Sequence, residues 1–172
     1  GSMNAGDMAE TLDIVREAVR ESGVRAVLST GWGGVTVPPE ENLYVAGFVP
    51  HDWLFDRVSA VVHHGGAGTT ATSLRHALPT LVVPFGGDQP FWAERVYAAG
   101  CGPKAIPRDK LTAENLAEGL RALISNPEYT RNAARIGEAL RNEHGCANAA
   151  DLIEKAVWDW ENGNPAQDGI NI

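Results

Sequence analysis

The chain has 172 residues, 44% of them hydrophobic, which is enough for one domain with a substantial core and excludes a disordered chain. Its net charge of −8 and its pI near 5.0 argue against a protein that follows a nucleic-acid backbone, because such binding uses Lys and Arg to neutralise phosphates. Cys101 and Cys146 lack CxxC spacing, so they predict neither a disulfide framework nor a zinc site and fit a reducing compartment.

The two ends of the sequence are predicted to lie outside the folded part. Gly1-Ser2-Met3 is typical of an expression-vector remnant rather than a signal peptide. No apolar run approaches the roughly 20 residues that are needed to cross a bilayer. We therefore expect a single domain over residues 4–162, a flexible tail over 163–172, and a soluble protein.

Helical and strand patterns alternate along the chain. A first helix is predicted to begin at Asp7, with Glu10 as the second half of a capping box, and to end at Ser22-Gly23. Apolar runs then predict strands over 24–29, 43–48, 58–63 and 80–84, and periodic stretches predict helices over 69–77 and 90–99. Because the strands are apolar throughout, they indicate an α/β fold with a parallel, Rossmann-like sheet between two layers of helices. Ligands of such folds bind at the carboxyl ends of the strands.

The last third of the chain is predicted to be helical. Thr112 is expected to cap one helix, and Asn126-Pro127 is an N-cap and N1 pair for the next. A final helix follows Gly145 and carries an apolar stripe that we expect to pack into the core. The stripe consists of Leu152, Ile153, Val157 and Trp158.

A glycine-rich turn between the third strand and its helix is the main candidate for a binding site. Gly65, Gly66 and Gly68 have no Cβ, so the backbone there can adopt a positive φ and approach a ligand closely. Thr69 and Thr70 follow at the predicted start of a helix, where free N–H groups and the helix dipole favour an anion. The pattern predicts a cradle for a diphosphate.

Other interpretations of the same segment remain open at this point. The run from Gly66 to Ala71 fits the G-x-G-x-x-A fingerprint of NAD-binding oxidoreductases, with Asp88 about 20 residues further on as the ribose ligand, although 84–87 separate Asp88 from its strand. A non-catalytic nucleotide-binding module and a tight turn without a ligand are further alternatives. A P-loop is excluded because the turn contains no Lys.

Neighbouring His63 and His64 do not predict a metal site. Adjacent side chains on a strand point to opposite faces, and no suitably spaced Cys or carboxylate accompanies them. One of the two is expected to pack and the other to act on the ligand. His76 and His144, on helical stretches, are interpreted as ordinary surface or partly buried residues.

Three blocks resemble, in the same order, the donor-binding C-terminal half of UDP-glycosyltransferases. They are GFVPHDWLF over 47–55, HHGGAGTT over 63–70 and PFGGDQPFW over 84–92. Within glycosyltransferase family 1, the chain is most similar to the sterol 3-beta-glucosyltransferases of fungi and their relatives. The resemblance extends over about residues 23–123 and implies the C-terminal domain of a GT-B fold.

The resemblance also implies roles for individual residues. The ring of Phe48 would stack on uracil and the backbone of Val49 would read the base edge, while Asp88 and Gln89 would hold glucose, with Trp92 as a possible pocket wall. The family's ribose-binding Glu corresponds to Thr72, for which Ser73 and His51 are candidate substitutes. The expected UDP-binding residues are Phe48, Val49, His51, His64, Gly66, Gly68, Thr69 and Thr70.

The reaction implied by the resemblance is an inverting transfer of glucose from UDP-glucose to the hydroxyl of a sterol or similar lipid. No metal or further cofactor is expected. The catalytic base of the family lies on an N-terminal acceptor domain that this chain is expected to lack, so we expect no catalytic residue here. The implied partners are a UDP-sugar and a lipid acceptor, and the implied location is cytoplasmic, at most peripheral to a membrane.

Overall fold

The computed structural model describes residues 8–30 and 40–163. The predicted cap at Asp7, the terminal remnant and the tail beyond Gly163 lie outside these residues, and the boundaries 4–162 of the predicted domain stay a prediction. The chain divides into two compact units, Gly1–Leu140 and Arg141–Ile172. The elements in chain order are α1 (Met8–Ser22), β1 (Ala26–Ser29), β2 (Leu43–Ala46), α2 (His51–Phe55), β3 (Val61–His63), α3 (Ala67–Arg75), β4 (Thr80–Val82), α4 (Gln89–Ala98), a 3-10 turn (Arg108–Lys110), α5 (Ala113–Ser125), α6 (Pro127–Arg141) and α7 (Gly145–Glu161).

The four strands form two parallel pairs. Ala26 of β1 lies opposite Leu43 of β2, and Val61 of β3 lies opposite Thr80 of β4. The predicted parallel arrangement is confirmed, but the pairs are not joined into one sheet within the described residues. The strands are also shorter than predicted. Pro84 has no N–H for the ladder, so β4 ends before it, as is usual for proline in a strand pattern.

Strand β4 is buried on both faces. Leu81 and Val83 contact a cluster that includes residues of α1 and α5, such as Ala18 and Leu116. Val82, between them in sequence, faces the opposite cluster, which is formed by α3, α4, α6 and the segment around Cys101. Because successive strand residues point to opposite faces, this alternation places helices on both sides of β4, as the apolar sequence predicted.

The starts of α5 and α6 follow the predicted capping signals, whereas α3 begins at Ala67 rather than at Thr69 and ends at Arg75. Thr112 accepts a hydrogen bond from the Asn115 N–H and the Asn115 side chain accepts one from the Thr112 N–H, which is a complete capping box. Asn126 accepts a hydrogen bond from the Glu128 N–H at the start of α6, where Pro127 is the first residue. The sequence analysis missed the short helix α2, which is anchored by the buried side chain of Phe55.

The second unit consists, within the described residues, of the end of α6 and helix α7. In this unit the side chains of the apolar stripe, Leu152, Ile153, Val157 and Trp158, are all more than half exposed, and their packing into the core stays a prediction. Within that unit no second element is described that could cover them. None of the described helices is both long and apolar enough to cross a bilayer.

Candidate functional site

The candidate site is built from two loops that leave neighbouring parallel strands at the same edge. The first loop, 64–66, connects β3 to α3, and the second, 83–88, connects β4 to α4. Their positions follow from the ladder, in which His63 lies opposite Val82. The carboxyl ends of parallel strands are where α/β folds bind ligands, so the two loops face one possible binding region.

Two glycines of the first loop are required by its geometry. Gly65 has a φ of 92°, and a Cβ added there would lie 2.6 Å from Cγ1 of Val82 and 3.1 Å from the carbonyl oxygen of Gln89. A Cβ added to Gly66 would lie 2.5 Å from Nε2 of His64, so the His64 ring lies over this residue. A side chain at Gly65 would therefore strain the turn, and one at Gly66 would displace the histidine.

The start of α3 presents free backbone donors. The first hydrogen bond within the helix is made by the Thr70 N–H, which donates to the carbonyl of Gly66 at 2.9 Å. The N–H groups of Ala67, Gly68 and Thr69 precede it and have no partner within the helix. Ala67 and Gly68 are exposed, and nothing lies within 4 Å of a Cβ added at Gly68. These groups and the helix dipole would favour an anion, and Ala67, missed in the sequence analysis, adds a donor to them.

The hydroxyl groups of α3 are less available than the sequence suggested. Thr70 is 3% exposed and its hydroxyl donates to the Gly66 carbonyl at 3.0 Å, so this hydroxyl already has a partner at the start of the helix. Ser73 is fully buried and donates to the Thr69 carbonyl, which contradicts its assignment to ribose. The Thr72 hydroxyl donates to the carbonyl of Gly68 at 2.9 Å. The Thr69 side chain is half-buried at the start of the helix and is the hydroxyl nearest to the free N–H groups.

His63 is the packing member of the histidine pair. Its Nδ1 accepts a hydrogen bond from the Gly65 N–H at 2.9 Å, and its Nε2 is buried without a partner among the described residues. Burial, reinforced by the charges of His64 and His51, lowers the pKa of His63 to about 4. The neutral ring therefore shapes the turn rather than contacting a ligand.

We expect His63 to make the stability of the domain depend on pH. Its pKa falls from 6.5 in the unfolded chain to about 4 in the folded one, so its contribution is complete above pH 6.5 and declines as the pH falls toward 4. The loss would reach about 3 kcal/mol at most. His63→Asn keeps an acceptor near the position of Nδ1 but does not titrate, so urea unfolding at about pH 7 and about pH 4.5 should show a smaller loss for this variant. If the free energy of unfolding fell equally between the two pH values in the wild-type chain and in His63→Asn, His63 would not be the source of the pH dependence.

His64 is the less buried member of the pair and lies close to the second loop. Burial lowers the pKa of His64, and the carboxylate of Asp88 opposes that shift. This influence of Asp88 indicates that its carboxylate, in the second loop, lies near the His64 ring of the first loop. His64 is half-buried, so its ring can still reach a ligand above Gly66.

Asp88 and Gln89 have different environments although they are neighbours. Asp88 is exposed, and one of its carboxylate oxygens accepts a hydrogen bond from the indole N–H of Trp92 at 2.8 Å. Gln89 is 5% exposed, and its Oε1 accepts hydrogen bonds from the N–H groups of Phe85 and Gly86 at 2.7 and 3.3 Å. Trp92 thus holds the exposed carboxylate of Asp88, while the side-chain carbonyl of Gln89 holds the loop in shape.

The predicted base-binding block follows β2. Phe48 is 68% exposed and Val49 is half-buried, just before α2 begins. His51 stacks on Phe55 with ring centroids 5.0 Å apart, and Phe55 also meets the ring of His76 edge-on at 5.9 Å. The exposed ring of Phe48 suits stacking on a planar base. No group of three or more His, Cys, Asp or Glu in the part of the chain that the structure describes could hold a metal ion.

Comparison with known families identifies the protein family to which the chain belongs. The sequence model of the family described as erythromycin biosynthesis protein CIII-like, C-terminal domain, matches residues 30–154. The chain belongs to this family. The match spans the base-binding block and both loops, and it favours the glycosyltransferase interpretation over the NAD-binding one.

Similar proteins agree with this membership. A sterol 3-beta-glucosyltransferase of Arabidopsis thaliana is 42% identical over 158 residues, which cover 90% of this chain and 26% of the relative. One of Kluyveromyces lactis is 41% identical over 162 residues, covering 89% of this chain and 13% of the relative. The chain thus spans about a quarter or less of the curated relatives it matches. The predicted resemblance to sterol glucosyltransferases is confirmed.

Solved structures confirm the fold. The glycotransferase of kitacinnamycin aligns with a TM-score of 0.74 at 26% identity, covering 90% of this chain and 41% of that protein. A spinosyn rhamnosyltransferase complexed with thymidine diphosphate aligns with a TM-score of 0.71 at 23% identity, covering 88% of this chain and 43% of that protein. The chain therefore has the fold of a GT-B glycosyltransferase C-terminal domain.

Proposed function

We propose that this chain is the nucleotide-sugar-binding part of a glycosyltransferase that transfers glucose from UDP-glucose to the hydroxyl of a sterol or similar lipid. The observation that carries the proposal is the arrangement at the start of α3. Three N–H groups without a helical partner lie beside Gly66, which is covered by the His64 ring, and Asp88 is close enough to influence that ring. Such a site suits a diphosphate that carries a polyol.

In the proposed arrangement, the diphosphate lies at the N-terminus of α3. The N–H groups of Ala67, Gly68 and Thr69 donate to its oxygens, and His64 adds a donor from the side of Gly66. Phe48 stacks on the uracil and the backbone of Val49 contacts the base edge. Since Ser73 is buried, the ribose is left to exposed residues such as His51.

The sugar lies at the second loop. The oxygens of Asp88 accept hydrogen bonds from sugar hydroxyls, with the carboxylate held by Trp92. Gln89, the second expected sugar ligand, holds this loop in shape, since its Oε1 accepts hydrogen bonds from the N–H groups of Phe85 and Gly86. The assignment of glucose and of a sterol acceptor follows the names of the similar plant and yeast enzymes.

The proposed reaction is an inverting displacement at the anomeric carbon. The acceptor oxygen forms a bond to that carbon as the bond between the carbon and the diphosphate oxygen breaks, and UDP leaves with the bonding electrons. A base on the acceptor-binding part of the enzyme takes the hydroxyl proton. The N–H groups of α3, its dipole and His64 stabilise the charge that develops on the diphosphate, which is electrostatic catalysis by preorganised donors.

Calorimetry on the chain can test the class of ligand. UDP and UDP-glucose are expected to bind, thymidine diphosphate to bind more weakly, and NAD not to bind measurably. Binding should also raise the thermal unfolding midpoint, with a stabilisation that grows with the logarithm of the ligand concentration once the site is saturated. Selective binding of NAD would overturn the proposal, and equal affinities for uridine and thymidine diphosphates would remove the uridine assignment alone.

Asp88 and Trp92 should affect the sugar and spare the nucleotide. Asp88→Ala is expected to leave the affinity for UDP unchanged and to reduce the additional affinity of UDP-glucose by about 1.5–3 kcal/mol, as for a hydrogen bond to a charged group. Trp92→Phe keeps an aromatic ring but removes the N–H that orients Asp88, so we expect a smaller loss of about 0.5–1.5 kcal/mol. Equal losses of UDP and UDP-glucose affinity would contradict this division.

A further inference from the structure

His76 connects two helices that carry different parts of the candidate site. It directly follows α3, and its Nδ1 lies 2.9 Å from Oδ1 of Asp56 while its Nε2 lies 3.3 Å from Oδ1 of Asp52. Asp52 belongs to α2 and Asp56 is the residue that ends it. Both nitrogens of the ring are therefore engaged by the same short helix. When the imidazole carries both protons, each nitrogen donates to one carboxylate.

Contacts between aromatic rings also connect His76 to His51, the residue before Asp52. Phe55 is 4% exposed and lies between two histidines, stacked on His51 and edge-on to His76. The position of His51 is thus linked through Phe55 to His76. A helix of five residues has little stability of its own, so contacts with α3 must hold it in place.

We infer that His76, Asp52 and Asp56 form a clamp that fixes the base-binding block relative to the diphosphate cradle, with His76 as its positioning residue. The inference rests on the proposed function, in which residues 48–51 contact the nucleoside and the start of α3 contacts the diphosphate. His76 touches neither part of the ligand in this arrangement. His76 instead sets the distance between the base-binding block and the diphosphate cradle, which must hold the same ligand.

The physical consequence depends on the length of the ligand. A nucleoside diphosphate must meet both helices at once, so it gains affinity when their spacing is already correct. Inorganic pyrophosphate meets only the cradle and is indifferent to the position of α2. The side chains of Asp52 and Asp56 are 86% and 65% exposed, and exposed ion pairs contribute little to folding, so variants of the clamp should fold.

The test compares His76→Ala with the wild-type chain, using UDP and inorganic pyrophosphate as calorimetric probes. We expect His76→Ala to weaken UDP binding about three- to tenfold, the effect of losing preorganisation in one flexible segment, and to leave pyrophosphate binding unchanged. Hydrogen exchange at the amides of Leu54 and Arg57, which make the hydrogen bonds of α2, should accelerate. His76→Asn keeps a donor toward Asp56 and should recover part of the UDP affinity. His144→Ala, at an exposed histidine of the other unit, is the matched control.

Two results would overturn the clamp. One is an equal loss of UDP and pyrophosphate binding, since that would indicate damage to the cradle itself. The other is wild-type affinity for UDP in His76→Ala. If the wild-type chain bound neither UDP nor pyrophosphate, the proposed function would be overturned, and the clamp's role in binding with it. This result differs from the two above, so failure of the clamp and failure of the proposed function are distinguishable.

Discussion

Replacing His64 with alanine is expected to weaken UDP binding by about 1.5–3 kcal/mol, which corresponds to roughly 10- to 150-fold in the dissociation constant. The ring lies over Gly66, beside the free N–H groups of α3, where it can donate to a diphosphate oxygen. A hydrogen bond to a charged group is stronger than one between neutral partners. Isothermal titration calorimetry of UDP against the two proteins measures the difference.

Two further variants make the His64 result specific. His64→Gln keeps an N–H donor near the position of Nε2 and should lose less affinity than His64→Ala. His144→Ala should bind UDP as the wild-type chain does, because His144 is exposed on the second unit. An unchanged affinity in His64→Ala would remove this histidine from the diphosphate site.

Gly68→Ala is expected to change stability and binding in opposite directions. Gly68 lies in the first turn of α3 without a positive φ, and an added Cβ would have nothing within 4 Å. Alanine should therefore stabilise the folded chain by about 0.5–1 kcal/mol, because glycine is the poorer helix former. The same methyl group would occupy the space through which the diphosphate approaches, and we expect UDP binding to weaken by about 1–3 kcal/mol, the usual cost of an inserted methyl.

Gly145→Ala provides the matched control for this experiment. Gly145 is also in the first turn of a helix, without a positive φ and with open space around its Cβ position. Gly145→Ala should raise the stability of the folded chain as much as Gly68→Ala does and should leave UDP binding unchanged. Thermal unfolding and calorimetry on both variants measure the two effects, and unimpaired UDP binding in Gly68→Ala would place the diphosphate elsewhere.

The position of the cradle could be predicted from sequence because its determinants are local. A strand, a cluster of glycines and the start of a helix occupy consecutive positions, and backbone physics alone assigns an anion to that arrangement. The availability of each hydroxyl could not be predicted this way. Thr70 and Ser73 are on the buried side of α3 and donate to carbonyls four residues earlier, a choice that depends on which side of the helix meets the core.

Contacts between distant segments were the main features that the sequence did not reveal. His76 meets Asp56 and Asp52 at separations of 20 and 24 residues, with no spacing rule to connect them. The apolar stripe of α7 is a related case, since an amphipathic pattern indicates that a helix has an apolar side but does not specify what covers it.

The packing of Gln89 against Gly65 means that free energies of binding at the two loops should not add. Gln89 fixes the shape of the sugar loop through its Oε1, and its main chain and Cβ occupy the space beside Gly65 in the diphosphate turn. Gln89 is therefore one contact through which a shift of either loop reaches the other. Groups that share such a contact show interaction energies in double-mutant cycles. In the proposed arrangement we therefore expect the sugar and the diphosphate to be recognised as one thermodynamic unit, in which each half of the donor improves the fit of the other.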